Sequence, residues 1–425
     1  MGITKQNIQS VCSYFHIACT LFLFCSIPYF YSRFTQYGLI LFFSSFAIDY
    51  IASERWKQGF KFDNTRIVSL FLLIQIGLFF IYSLFEPDSR YFSTLLEYRA
   101  SFIGFAIVGL LGISDKFKLR HFAYASIVSV LASFVALYNL LPTNLESLVQ
   151  IRVYRALNIG SHMTINLFFC AGMILFSKLI SLSESKIEKA LGIFMILLFY
   201  ALVMTSGGRV GMINANVVLI CIFLRFTISK LKILIPSAIV LVLAFSIGYI
   251  GIMSNESIKN TLRLSDRANP REYIWQEGVN QILDAPIIGH GASTNALQMK
   301  ERLLNNKELC SIEKFLISHL KEDHVYGMHP HNQIMQNWQE YGILGLFTIL
   351  GLFLSLLIVS KGSLSLNLIT LIIFIQLQTE VIDGGITTVG LCTYIFLILA
   401  LSKSNEMGKE KIGGFKWISR APSNA

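Results

Sequence analysis

An all-α polytopic membrane protein, with about twelve transmembrane helices and one large loop outside the membrane, is the fold this sequence predicts. Three observations carry that prediction. Of 425 residues, 54% are hydrophobic and only 14% are charged, and the mean hydropathy is +0.60. Soluble domains carry about 25% charged residues, so this deficit excludes an ordinary soluble enzyme, a disordered chain and a secreted disulfide scaffold. Apolar runs near the length needed to cross about 30 Å of hydrocarbon recur along most of the chain. One stretch, residues 254–331, interrupts them with nine Lys+Arg and ten Asp+Glu in 78 residues.

Taken in order, the expected spans lie near 12–31, 35–52, 67–85, 100–113, 122–141, 159–178, 190–206, 209–225, 233–253, 339–359, 365–382 and 387–402. The run at 100–113 is the shortest. The first has no small-residue cleavage site and is followed at once by another span, so it is expected to be an anchor rather than a removed signal. The chain then divides into an N-terminal membrane bundle over 1–253, the large loop over 254–331, three C-terminal spans over 332–402 and a basic tail over 403–425.

The formal charge of +10 would suggest a nucleic-acid partner in a soluble protein. In a membrane protein it is a topology signal. With the N-terminus in the cytoplasm, the cytoplasmic segments hold 20 Lys+Arg and the short outer loops hold six. That split places both termini inside and residues 254–331 outside, in the periplasm of a Gram-negative host. The six outer residues, Arg33, Arg90, Arg99, Arg152, Arg155 and Arg209, are all arginine. A guanidinium grips phosphate or carboxylate at two points and keeps its charge; the competing reading is that these residues only anchor helix ends at the interface.

The outer segment is longer than a connection needs to be, and long loops in compact proteins are usually functional. It carries five of the eight histidines: His290, His319, His324, His329 and His331. Residues 271–283 and 312–320 have helical periodicity, so short amphipathic helices over the membrane face are expected. Six of the seven cysteines fall in apolar spans as small core residues, and Cys310 alone lies in the outer segment.

Three patterns bear chemistry. The first is His329-Pro330-His331-Asn332, followed by Gln336, Glu340 and Tyr341-Gly342-Ile343-Leu344-Gly345-Leu346, where the outer segment returns to the membrane. Pro330 suits the first turn of a helix, so the span is expected to begin near His331. A neutral histidine there can accept a proton as a general base, or can simply dress an interfacial helix end; chemistry alone leaves both open. The second is Thr205-Ser206-Gly207-Gly208-Arg209-Val210-Gly211, with Asn214 and Asn216 deeper in the following span. The third is Arg263, Arg267 and Arg271 with Trp275, then Pro286-Ile287-Ile288-Gly289-His290-Gly291; Pro270 argues for a break before Arg271. A zinc site from Asp323, His324, His329 and His331 is disfavoured, because the spacing matches no regular ligand pair and arginines nearby repel a dication.

These four segments, Thr205–Gly211, Arg271–Trp275, Pro286–Gly291 and His329–Leu346, resemble the O-antigen ligase/polymerase superfamily of integral-membrane glycosyltransferases. They match its small-Arg-small turn, Arg-x-x-x-aromatic stretch, Pro-x-x-Gly-x-Gly element and His-x-His-Asn…Gly-x-x-Gly return. The resemblance implies a GT-C-like fold with one large periplasmic loop, in the bacterial inner membrane. It implies an undecaprenyl-diphosphate-linked O-antigen as donor, lipid A–core oligosaccharide as acceptor, membrane lipids around it, and no cofactor, metal or nucleic acid. His331 matches the catalytic histidine, and Arg209 and Arg271 match the diphosphate-binding arginines, with Arg267 beside them. The turn departs from the family's common Ser-Arg-Gly by having Gly208 before Arg209 and Val210 after it. His329, Arg155, His162, Asn332 and Asp383 are expected as secondary substrate contacts, with Arg152 and Glu380 near them; the alternative for each is a structural role. A polymerase of the same superfamily needs the same base, clamp and groove. A lipid-linked oligosaccharide flippase commonly has evenly short loops and internal repeats, which this chain lacks.

Overall fold

The computed structural model describes residues 4–29, 33–58, 62–85, 101–140, 162–205, 209–227, 270–307, 309, 317–318, 321, 329–378, 387–404 and 406. Among these the chain forms thirteen α-helices and no strand. The predicted ninth span, Cys310, Arg152, Arg155, Arg263, Arg267, Asp323, His324, Glu380 and Asp383 lie outside the described residues.

Helix starts are set by short polar side chains that accept the backbone N–H groups a first turn leaves unpaired. Thr4 does so for α1 (Lys5–Ser26), Asp63 for α3 (Asn64–Ser83), Asn332 for α11 (Gln333–Val359) and Ser363 for α12 (Leu364–Leu377). The other helices are α2 (Arg33–Ala52), α4 (Ser101–Leu111), α5 (Leu119–Leu140), α6 (His162–Leu182), α7 (Lys186–Thr205), α8 (Arg209–Thr227) and α13 (Thr387–Ser402) in the bundle. Helices α9 (Pro270–Asp284) and α10 (Ala292–Asn305) belong to the polar segment. Among the described residues, α1, α3, α6, α7 and α11 are long and apolar enough to cross a membrane, and α4, α5, α8, α12 and α13 are shorter apolar helices.

The expected spans and the helices agree closely for α2, α5, α8 and α13. They agree also for α4, described over Ser101–Leu111 against an expected 100–113, and differ at α1, which starts at Lys5 because Thr4 caps it. The outer-segment helix expected over 271–283 is present as α9, with Pro270 at its first position, where a missing N–H costs nothing. Helix α10 was not expected; its start is marked only by Gly291, at φ 80°.

Helix directions alternate, and polar pairs at the ends record it. Lys5 meets Glu54 at 2.6 Å, Lys403 meets Asp63 at 3.4 Å, Arg120 meets Glu188 at 3.0 Å, and Arg225 donates to Ser365 Oγ at 3.3 Å. These contacts gather the start of α1, the end of α2 and the starts of α3, α5, α7 and α12 at one end of the bundle. The basic loops therefore share that end, and the polar segment sits at the other. Hydrogen bonds from Lys5 and then Lys57 hold the Glu54 carboxyl below its ordinary pKa. Between the two ends the core is aromatic: Phe42 stacks on Phe105 and meets Phe396 edge-on, and Phe24 packs against Phe122 and Phe168. Inside a bilayer such packing is held by dispersion and shape rather than by exclusion of water. Cys19, Cys170 and Cys392 are buried in this core, and Cys12, Cys25 and Cys221 are half-buried.

Candidate active site

The first three turns of α11 read as polar yet lie inside the protein. Gln333, Gln336, Asn337, Gln339 and Glu340 are all buried. Burying amides and a carboxylate is unfavourable unless each finds a partner. Gln333 Nε2 donates to Asn337 Oδ1 at 2.8 Å, and Asn337 Nδ2 donates to Gln75 Oε1 at 2.8 Å, joining α11 to α3. Gln336 Nε2 donates to Glu340 Oε1 at 2.6 Å. Gln339 Nε2 donates to the Gly278 carbonyl at 2.9 Å, and Asn295 Nδ2 reaches Gln339 Oε1 at 3.4 Å, joining α11 to α9 and α10. Gly278 lets the Met335 sulfur and the Gln339 amide pack close to α9; a Cβ there would displace both.

Gly342 then breaks the helix, at φ 60° and ψ −148°, a region essentially reserved for glycine. A break frees backbone groups that need partners, and the Pro286–Gly291 element supplies them. Ile343 N–H donates to the Ile287 carbonyl at 3.2 Å, His290 N–H to the Gln339 carbonyl at 2.8 Å, and Gly291 N–H to the Glu340 carbonyl at 2.9 Å. Trp338 Nε1 donates to the Pro286 carbonyl at 3.0 Å, and the Tyr82 hydroxyl donates to the Ile288 carbonyl. Two motifs separated by about fifty residues in the sequence are thus one unit, an outer strap laid across a helix break. His290 is part of the strap's frame: its Nε2 lies 3.0 Å from the Gln281 carbonyl.

Ahead of the helix, Asn332 Oδ1 accepts the Met335 N–H at 3.1 Å, so Asn332 is the cap. Pro330 and His331 lie outside the helix, which corrects the expectation that Pro330 occupies its first turn: an asparagine at the cap position competes better for the start. His331 adopts φ 51°, a left-handed conformation uncommon outside glycine. Strained backbone of this kind persists only where surrounding contacts over-determine it, and it concentrates at functional positions. Here one contact comes from α9: Trp275 Nε1 donates to the Pro330 carbonyl at 2.8 Å. Another is local: the His331 N–H points to His329 Nδ1 at 3.4 Å, and the two rings meet at a 4.4 Å centroid distance and 63°. A neutral His329 accepting there carries its proton on Nε2.

Of Arg209, Arg271 and His162 only the backbone is described. Arg271 is the second residue of α9, one turn before Trp275, so Trp275 brings this end of α9 to the Pro330–His331 turn. Arg209 is the first residue of α8, and His162 the first of α6. The two helices touch near those starts, where a Cβ on Gly211 would run into the Asn166 side chain. Since Arg225, in the last turn of α8, lies beside the start of α12, the first residue of α8 lies at the same end of the bundle as His331.

Replacing Trp275 by phenylalanine removes the donor to Pro330 while keeping a ring in place. A lost hydrogen bond of this kind is worth about 1 kcal/mol. We expect turnover to fall about fivefold with substrate KM unchanged, measured as initial rates on purified protein; unchanged turnover would show that the His331 turn is held without Trp275.

The fold and these contacts define a polytopic helical membrane protein whose buried polar groups and histidine pair gather at one end, under a strapped helix break. Residues 193–350 match the family model described as O-Antigen ligase, and the match supports assigning the chain to the O-antigen ligase/polymerase family. The matched stretch runs from within α7 to within α11 and includes all four motifs singled out above. No curated protein matches the chain.

Proposed function

We propose that this chain is an O-antigen ligase, a membrane glycosyltransferase that moves O-antigen polysaccharide from undecaprenyl diphosphate to a hydroxyl of lipid A–core oligosaccharide. The observation that carries the reading is the His331 turn. A histidine in strained backbone, pinned through Pro330 by Trp275, precedes a helix whose buried first turns face the outer segment. In the reaction a neutral His331 ring nitrogen takes the proton of the acceptor hydroxyl. That oxygen forms a bond to the anomeric carbon of the donor sugar, the bond from that carbon to the diphosphate breaks, and undecaprenyl diphosphate leaves. Arg209, Arg271 and Arg267 hold the diphosphate and stabilise the charge it gains, by charge-assisted bonds that act without a metal or cofactor. The start of α9 adds the positive end of a helix beside Arg271. His329, Arg155, His162, Asn332 and Asp383 contact the sugars.

The reading includes twelve spans in a GT-C-like arrangement, with one of them over 233–253, and a periplasmic site in the inner membrane. The distribution of 20 Lys+Arg on the side of the termini against six in the short loops opposite supports that orientation. The lipopolysaccharide of a deletion strain tests the function. Lipid A–core without any O-antigen, with lipid-linked polymer accumulating, is the expected result. A single repeat still attached to core would instead identify a polymerase of the same superfamily.

A further inference from the structure

Helix α9 has three faces rather than two. Ile274, Gly278, Gln281 and Ile282 are buried against the rest of the protein. Gln276, Asn280 and Asp284 form a polar face, with the Asp284 carboxylate paired to Arg302. Between these runs an exposed apolar line, Trp275, Val279 and Leu283, set four residues apart and so stacked along one side of the helix. Leu283 is 70% exposed, and the strap continues the line with Ile287 at 70% and Ile288 at 69%. Contiguous exposed apolar surface of this kind marks a membrane or protein contact.

What borders the line decides between them. The Ile287 carbonyl accepts the Ile343 N–H, and just beyond it Leu344 and Phe347 are exposed, the first outward residues of the apolar part of α11. Tyr82, which donates to the Ile288 carbonyl, ends α3 and is followed by Leu84 and Phe85, 81% and 83% exposed. Both α3 and α11 are long and apolar enough to cross a membrane. The strap that continues the exposed line on α9 is therefore joined, through direct hydrogen bonds, to the exposed apolar surface of these two helices.

We propose that the Trp275–Val279–Leu283 side of α9, together with Ile287 and Ile288, is seated in the boundary between headgroups and acyl chains of the leaflet where α3 ends and α11 begins. Its occupant is bilayer lipid, held by the apolar side of a helix lying in the interface while the polar side stays in water. Trp275 belongs to both contacts, its ring edge on the lipid side and its Nε1 on the Pro330 carbonyl, so the seat sets the depth of the His331 turn relative to the bilayer. The proposal rests on the membrane character of the bundle and not on the transfer reaction.

Spin labels on Leu283→Cys and Ile288→Cys, in full-length protein without native cysteines and reconstituted in phosphatidylethanolamine–phosphatidylglycerol vesicles, test it. A label on Glu301→Cys, on the exposed polar side of α10, is the aqueous reference. Collisions with oxygen are expected to exceed those with a water-soluble nickel chelate at Leu283 and Ile288, and the order is expected to reverse at Glu301. Nickel collisions at all three positions as frequent as at Glu301 would overturn the proposal. Labels shielded from both reagents and broadened by a neighbouring label would also overturn it, in favour of a second copy of the chain. If the cysteine-free protein does not fold, the wild-type fluorescence minus that of Trp275→Phe isolates Trp275. Quenching of that difference by brominated lipid supports the seat; quenching by iodide alone contradicts it.

Discussion

Transfer by His331→Asn is expected to fall by about 10²- to 10⁴-fold, the usual contribution of a positioned general base. Asparagine is the informative replacement because it tolerates left-handed backbone nearly as well as any non-glycine residue. Alanine at φ 51° would add about 1 kcal/mol of strain to the loss of the base. With asparagine, the backbone turn that Trp275 and Asn332 build stays in place, while the proton acceptor and the ring contact with His329 are lost. Thermal unfolding in detergent should therefore change little while transfer disappears. Retained transfer would remove His331 from the chemistry and leave it as a turn residue. Loss of both transfer and thermal stability would give it a structural role.

Gly342→Ala is expected to destabilise the protein strongly. The φ 60°, ψ −148° conformation costs a residue with a side chain about 1–3 kcal/mol. The new Cβ would also run into the backbone of Ile287 and Ile288, which has no rotamer with which to give way. Relief requires lifting the strap, and that breaks the bonds from Ile343, His290 and Gly291 together. Thermal unfolding should drop by several degrees, and limited proteolysis should open the Pro286–Gly291 segment. Gly77→Ala in α3, where a Cβ meets nothing within 4 Å, is the matched control and should leave both unchanged. Equal behaviour of the two variants would mean that the break does not hold the strap.

Much of this was legible in the sequence, and the reason differs between elements. The apolar helices follow from composition, because a bilayer demands long apolar runs and gives few alternatives. The motifs at Pro286–Gly291 and His329–Leu346 were visible as patterns, yet their union was not. Backbone hydrogen bonds between a strap and a helix break leave no side-chain signature beyond the glycines themselves. The start of α11 was expected near His331, ahead of Gln333, because a proline signal was read before the asparagine cap that outcompetes it. Gln75 was missed, although an isolated glutamine in the apolar run of α3 is the kind of residue that seeks a partner, and Asn337 is that partner. Trp275 was noted beside arginines, whereas its hydrogen bond to Pro330 depends on the fold of the outer segment.

The most direct test of the account is a transfer assay with purified chain in proteoliposomes, supplied with undecaprenyl-diphosphate-linked O-antigen and lipid A–core oligosaccharide alone. The account expects glycan on lipid A–core with the wild-type chain, without added metal or nucleotide, and none with His331→Asn. Wild-type protein that leaves lipid A–core unmodified but lengthens the lipid-linked glycan would contradict it, as would full transfer by His331→Asn.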